Sequence, residues 1–169
     1  MITSFNYRII PHHQQAYNTI GNYWEDPPGS GHWEIRVSDV GSWQMALLVC
    51  IHEIIELAQT ENDGIPEPAI SAFDKKFEAS NPPPDSEPGD QIDAPYHRQH
   101  VMAENLERQL AWALKINWNE YDSHLMSIWR GAQAAEVETP STLSTETTTG
   151  TFCPPAADVL RGTIESLPG

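Results

Sequence analysis

The chain has 169 residues, with 9 Lys and Arg against 24 Asp and Glu, for a formal net charge of −15. That length suits one domain with a core of ordinary size, and the charge argues against direct binding to a nucleic-acid backbone, which needs Lys and Arg to displace counterions. It favours solubility and the attraction of cations, and no run of about eighteen apolar residues is present to span a membrane.

The first residues, MITSFNYRIIPHHQQ, lack the basic-then-apolar order of a secretory signal. Phe5 to Ile10 and Trp33 to Val37 suit short strands; in WEIRV the apolar Trp33, Ile35 and Val37 alternate with Glu34 and Arg36. Asp26-Pro27-Pro28-Gly29-Ser30-Gly31 between them reads as a turn or loop. A hairpin or two-stranded ribbon is therefore expected. His12 and His13, beside Pro11, read as surface histidines without a role.

Ser42 is placed to cap a long helix from Trp43 to about Thr60, its hydroxyl accepting from a free amide of the first turn. The run WQMALLVCIHEIIELAQ is apolar almost all round, which predicts a central helix. A shorter helix over Ile65 to Glu78 opens at Pro66 to Pro68 and carries Ile70, Phe73 and Phe77 on one face. NPPPDSEPGDQID, residues 81–93, is a proline-rich acidic loop. A second long helix then runs to about Ile116, with Asp93 as cap, Pro95 in its first turn, and an apolar stripe of Met102, Leu106, Leu110 and Ala113. A third, from about Asn119 to Arg130, adds Tyr121, Leu125, Ile128 and Trp129. The expected fold is mainly α with a small N-terminal β hairpin, built on a helical core of three to four helices. Residues 1–131 form its single globular domain.

From Thr139 to Thr151 the sequence TPSTLSTETTTGT holds seven threonines and little to bury. Residues 132–169 are thus expected to be a flexible Thr/Pro-rich tail. Cys50, in an apolar helical run, and Cys153, in the tail, suit free thiols in a reducing cytoplasm.

The sharpest motif is His52-Glu53-Ile54-Ile55-Glu56. On a helix His52 and Glu56 stand one turn apart and present to one point, so a single helix offers two ligands to one ion. Imidazole nitrogen with carboxylate oxygen suits zinc first, then manganese or iron. Glu53 points about a quarter-turn aside, where a carboxylate takes a proton from water without ligating. On the second long helix His100 and Glu104 repeat the spacing of His52 and Glu56, and His97 precedes His100 by three. His100 is the foremost third ligand, with His97 and Glu104 as further metal candidates. Two facing helices that each give His and carboxylate are a known way for bundles to build inward metal sites.

HEIIE resembles the signature of the zincin metallopeptidases, in which a helix carries two His ligands four apart with a Glu base after the first. Here Glu56 stands where the second His would be, and that departure weakens the peptidase reading while leaving the metal reading in place. The longer pattern from Trp33 to Tyr121, HEIIELA, then GI, FD, GDxxDAPYHxxH and AxxxExxLAxxL, is similar to uncharacterised small proteins of bacteriophage genomes. That resemblance implies the cytoplasm of a bacterial host and carries no activity with it.

These readings converge on a divalent metal, zinc foremost, and on a metal-dependent hydrolase of small-molecule or peptide substrates. His52, Glu56 and His100 would bind the ion and Glu53 would be the catalytic base. Two alternatives come from other classes: a non-enzymatic acidic interaction protein, such as a nucleic-acid mimic, and a metal-stabilised structural module. Asp74, Asp90 and Asp93 read as helix caps and solvated loop acids, with GDQIDAPYH as a lid in the alternative. Buried glutamates would otherwise pair with Arg98 or Arg108.

Overall fold

A computed structural model describes residues 1–83 and 86–137, with 130 and 132–137 as backbone only. The first 38 residues hold a three-stranded sheet: β1 (Ser4–Ile10), β2 (Gly21–Glu25) and β3 (His32–Ser38), in the order β1-β3-β2. Four helices follow: α1 (Trp43–Asp63), α2 (Glu67–Glu78), α3 (His97–Ala113) and α4 (Trp118–Val137). The fold is mainly α with N-terminal strands, as the sequence predicts.

The sheet departs from the expected ribbon in one respect. β1 and β3, the two strands legible in the sequence, pair in parallel, from Ser4 opposite His32 to Ile10 opposite Ser38. The hairpin is instead formed by β2 and β3, antiparallel, with Tyr23 opposite Ile35. The 10-residue link Pro11–Ile20, which holds a 3₁₀ turn at His12–Gln14, carries the chain across β3's place before the hairpin returns it. The hairpin loop is closed by the Glu25 carboxylate, which accepts from the amides of Gly29 and Gly31, both at 2.6 Å. His12 is half-buried rather than a surface residue, with Nδ1 2.9 Å from Ser38 Oγ and Nε2 3.1 Å from Asn18 Oδ1.

Alternation along β3 decides which face is covered. Trp33, Ile35 and Val37 are buried against α1, while Glu34 and Arg36 face outward, where the Arg36 guanidinium lies over the Trp24 ring. Ser42 Oγ accepts from Met45 N at 3.5 Å and starts α1. Gly64, with φ of 72°, ends it in the left-handed region where a side chain would be strained. Pro66 and Pro68 open α2, with Glu67 in its first turn and Lys75 and Lys76 in its last, each charge complementing the helix dipole.

α3 begins at His97, not near Asp93, and Tyr96 occupies its N-cap without capping the helix through its side chain. Residues 88–96 form successive turns held by backbone bonds such as Ala94 N to Gln91 O, so Asp93 sits exposed in a turn. The helix stops at Ala113, earlier than Ile116, because Lys115 takes a φ of 59° and Ile116 N turns back to Ala111 O. Asn117 Oδ1 then accepts from Asn119 N and caps α4. α4 continues past Arg130 to Val137 through GAQAAEV, whose alanines favour helix. The tail expected from residue 132 otherwise lies outside the described residues, as does Cys153. No described helix is long and apolar enough to cross a membrane.

The principal helix contact is α1 on α3. The buried face of α3 is Gln99, His100, Ala103, Glu107 and Ala111, while Met102, expected in the apolar stripe, is 48% exposed. The small Ala103, fully buried, lets the two helices approach closely. That approach brings the polar residues of both helices to one place.

Candidate metal centre

α1 supplies His52, Glu53 and Glu56, and α3 supplies His100 and Glu107. Their spacings, three and four on α1 and seven on α3, keep each set on one helix face. His52 Nε2 lies 3.2 Å from His100 Nδ1 and 3.5 Å from Glu56 Oε2, and His100 Nδ1 lies 3.1 Å from the same oxygen. These three atoms form a nearly equilateral triangle. Ligands at about 2.0–2.1 Å around a tetrahedral ion stand about 3.3–3.4 Å apart, so the triangle matches one face of such a shell. Among the described residues His52, Glu56 and His100 are the group that can hold a metal ion.

The donors are oriented by a second layer of bonds. His52 Nδ1 donates to Glu107 Oε2 at 2.9 Å, which turns Nε2 to the triangle as the nitrogen able to ligate. Tyr121 OH donates to Glu107 Oε1 and holds that carboxylate. Tyr23 OH donates to Glu56 Oε1 at 3.3 Å and adjoins Thr60 Oγ1 at 3.2 Å. Metal-ligating imidazoles commonly donate their other N–H to a carboxylate that is itself bonded.

Burial alone pushes His52 down, yet the bonds to Glu107 and Glu56 outweigh it and hold this imidazole well above its ordinary range. His100 is likewise raised: burial lowers it, but the bond to Glu56 prevails over that and over repulsion from His52. Burial raises Glu56, and the bonds from His100 and His52 reverse this and bring it to about 2. Glu53 is pushed up to about 8, first by burial and then by the charge of Glu56. It makes no hydrogen bond or ion pair with the described residues. Its carboxyl rests against Gly21, where an added Cβ would fall within 3.0 Å of Oε1, Cδ and Cγ.

The triangle opens on a cavity of about 220 Å³ between β2, the helices and the loop before α3. Ten carboxylates are among its lining residues, and no Lys or Arg is found among the described ones. The alternative, in which Arg98 or Arg108 pairs with the buried glutamates, is thus not what the described lining shows. Arg108 instead bonds Glu104 at 2.5 Å and stacks on Trp118.

Of the residues singled out from sequence, His52, Glu56 and His100 meet at one point and Glu53 faces the same cavity. His97 lies outside the triangle, its Nδ1 donating to Gly89 O at 2.9 Å. Glu104 lines the cavity but is engaged by Arg108. Asp74, expected as a cap, is buried on α2 and accepts from Tyr96 OH at 2.6 Å and Tyr17 OH at 3.0 Å. Burial raises it to about 6 despite those two bonds. The signal for Asp74 was its place between Ile70 and Phe77 on the apolar face of α2. Glu107 carried a similar signal, seven residues after His100. Tyr23, Tyr96 and Tyr121 carried none, since buried tyrosines are ordinary core residues. Cys50 is buried and its thiol is pushed up to about 11, by burial and then by Glu53, which keeps it unreactive.

Comparison of the chain with protein-family models, with curated proteins and with solved structures gave no match.

Proposed function

We propose that this chain binds one divalent ion, zinc by its donor set, and uses it to hydrolyse a small molecule or the end of a peptide. One observation carries the reading: three ligand atoms on edges of 3.1–3.5 Å face a cavity, with no fourth ligand in their group among the described residues. Catalytic zinc sites have three protein ligands and an open position, whereas structural sites are closed by four.

The ion supplies Lewis-acid polarisation of water and of a substrate oxygen. The remaining work falls to the chain. His52, Glu56 and His100 hold the ion, and Glu107 with Tyr121 fixes the ring of His52. Glu53 is the carboxylate of α1 left without a partner, next to a ligand and open to the cavity, and is the base that takes a proton from water. Carboxylates in the lining, with no Lys or Arg among its described residues, disfavour a free anionic substrate.

Glu53→Gln tests the assignment, because glutamine keeps the size but not the basicity. The variant should hold as much metal as the wild type and lose at least about 100-fold in turnover of whichever ester, amide or peptide the wild type cleaves. Wild-type turnover that survives this substitution would remove Glu53 from the chemistry. Metal bound without turnover on any such substrate would leave a structural centre.

A further inference from the structure

An imidazole can ligate through either nitrogen, and a ring flip exchanges the two. His52 has its choice made by Glu107. His100 has no such close bond on its outer nitrogen, yet it presents Nδ1 to the triangle. What surrounds the rest of the ring is the loop before α3. Gly89 is buried and lies flat on the imidazole: a Cβ added there would fall within 3.0 Å of Cγ, Nδ1 and Cδ2 of His100. Gly89 is not among the glycines with positive φ. Contact, not backbone conformation, thus demands glycine at this position. On either side of it, Glu87 Oε2 and Asp90 Oδ1 stand 3.7 and 3.8 Å from His100 Nε2. The loop is tied back onto α3 by the bond from His97 Nδ1 to Gly89 O. Tyr96 closes the ring's other side edge-on, with centroids 6.2 Å apart.

The geometry points to Glu87–Asp90 as a positioning clamp for His100, with Gly89 as its obligatory contact. When Nδ1 ligates instead of donating to Glu56, the ring keeps its remaining proton on Nε2, and the two carboxylates beside that nitrogen hold it there. The glycine seats the ring at a depth and angle that any side chain would displace. His97 then acts through the loop as part of the clamp. The consequence for metal binding rests on the reading of the site as a metal centre; the seating of the ring does not.

Two variants and a control test this, all in the full chain. Gly89→Ala removes the seat, and Glu87→Gln with Asp90→Asn removes the charges that hold the Nε2 proton of a ring ligating through Nδ1. Gly131→Ala, where an added Cβ meets nothing within 4 Å, is the control. Zinc affinity is read by competition with a chromophoric chelator. The ligating nitrogen is read from the ¹⁵N shifts of the imidazoles in the zinc-loaded protein. In the metal-free protein, ring seating is read from cross-relaxation between the His100 ring and the Gly89 α protons. The wild type should show those cross-peaks and bind zinc through Nδ1 of His100. Each clamp variant should lose about 10- to 100-fold in affinity, as outer-shell changes do, and the control should lose nothing. Should Gly89→Ala fail to fold, the double variant, which changes no shape, decides. Wild-type affinity and Nδ1 ligation in the double variant, or absence of the cross-peaks in wild type, would overturn the clamp. Intact cross-peaks in a wild type that binds no zinc would overturn the metal reading and leave the seating as argued.

Discussion

Glu56 is the most heavily engaged carboxylate of the centre, and Glu56→Gln is the perturbation whose cost follows most directly from the structure. The side chain accepts from both imidazoles and from Tyr23, and the residue is 5% exposed. Glutamine keeps the shape and can still accept, but it carries no charge to hold two raised imidazoles. The fall of the Glu56 pKa from 4.5 to about 2 corresponds to roughly 3 kcal/mol in favour of the folded state at neutral pH. Release of protons by His52 and His100 offsets part of the loss, so this figure is a ceiling. For a domain of this size it means a drop of up to roughly 10 °C in melting temperature. The assay is thermal denaturation of both proteins in chelator, followed by circular dichroism from pH 7 down to pH 3. A depressed carboxylate stabilises above its unfolded pKa, and that contribution is lost as pH falls toward the folded value. The gap between wild type and variant should therefore be largest at pH 7 and narrow below about pH 4.5. A gap that stays constant across this range would mean that packing, not charge, is what Glu56 contributes.

Other consequences can be checked in the same way. Gly21→Ala should swing the Glu53 carboxyl out of its place, since the added Cβ would occupy it, and lower turnover while metal content and melting stay near wild type. Glu107→Gln should keep the fold and weaken zinc by about 10- to 100-fold in a competition titration, because His52 loses the acceptor that selects its tautomer. Metal-free protein should lose stability as pH rises from about 4.5 to 8: Glu53 and Asp74 must ionise while buried, and the raised imidazoles surrender protons that the folded state binds more tightly than the unfolded one. With excess zinc the slope above about pH 6 should reverse, since ligand imidazoles must be neutral and proton loss then favours the ion. Parallel pH–melting curves with and without zinc would contradict that linkage.

The inner ring of this centre was legible in sequence because helix geometry is local. His52 and Glu56 are one turn apart, and no tertiary contact is needed to place them together. His100 was reachable because an imidazole in an amphipathic segment repeats that pattern. The outer ring was obscured by the same residues that make it. With His100 and Glu107 counted as polar, the apolar stripe of α3 was centred on Met102, Leu106 and Leu110, and the real buried face runs through His100, Ala103 and Glu107. A face that buries charge for a site looks like a solvent face to any reading of hydrophobicity. β2 was missed for a different reason. GNYWE shows no clean alternation, since Tyr23 points to the core and Trp24 is covered by Arg36 from the far side. Without β2 the two visible strands could only be read as partners in a hairpin. The clamp at Gly89 lies beyond sequence reasoning altogether, because it depends on a loop and a helix face meeting in space.

Whether His52, Glu56 and His100 together hold a metal ion is decided by the metal content of chain purified without affinity tag or chelator. Elemental analysis, paired with calorimetric titration of zinc into chelator-stripped protein at neutral pH, should give one equivalent per chain. His52→Ala and His100→Ala should each abolish it, since either removes a vertex of the triangle. A wild type that carries no metal and takes up none would make these three residues a buried network of protonated imidazoles on a carboxylate, with no metal centre between α1 and α3.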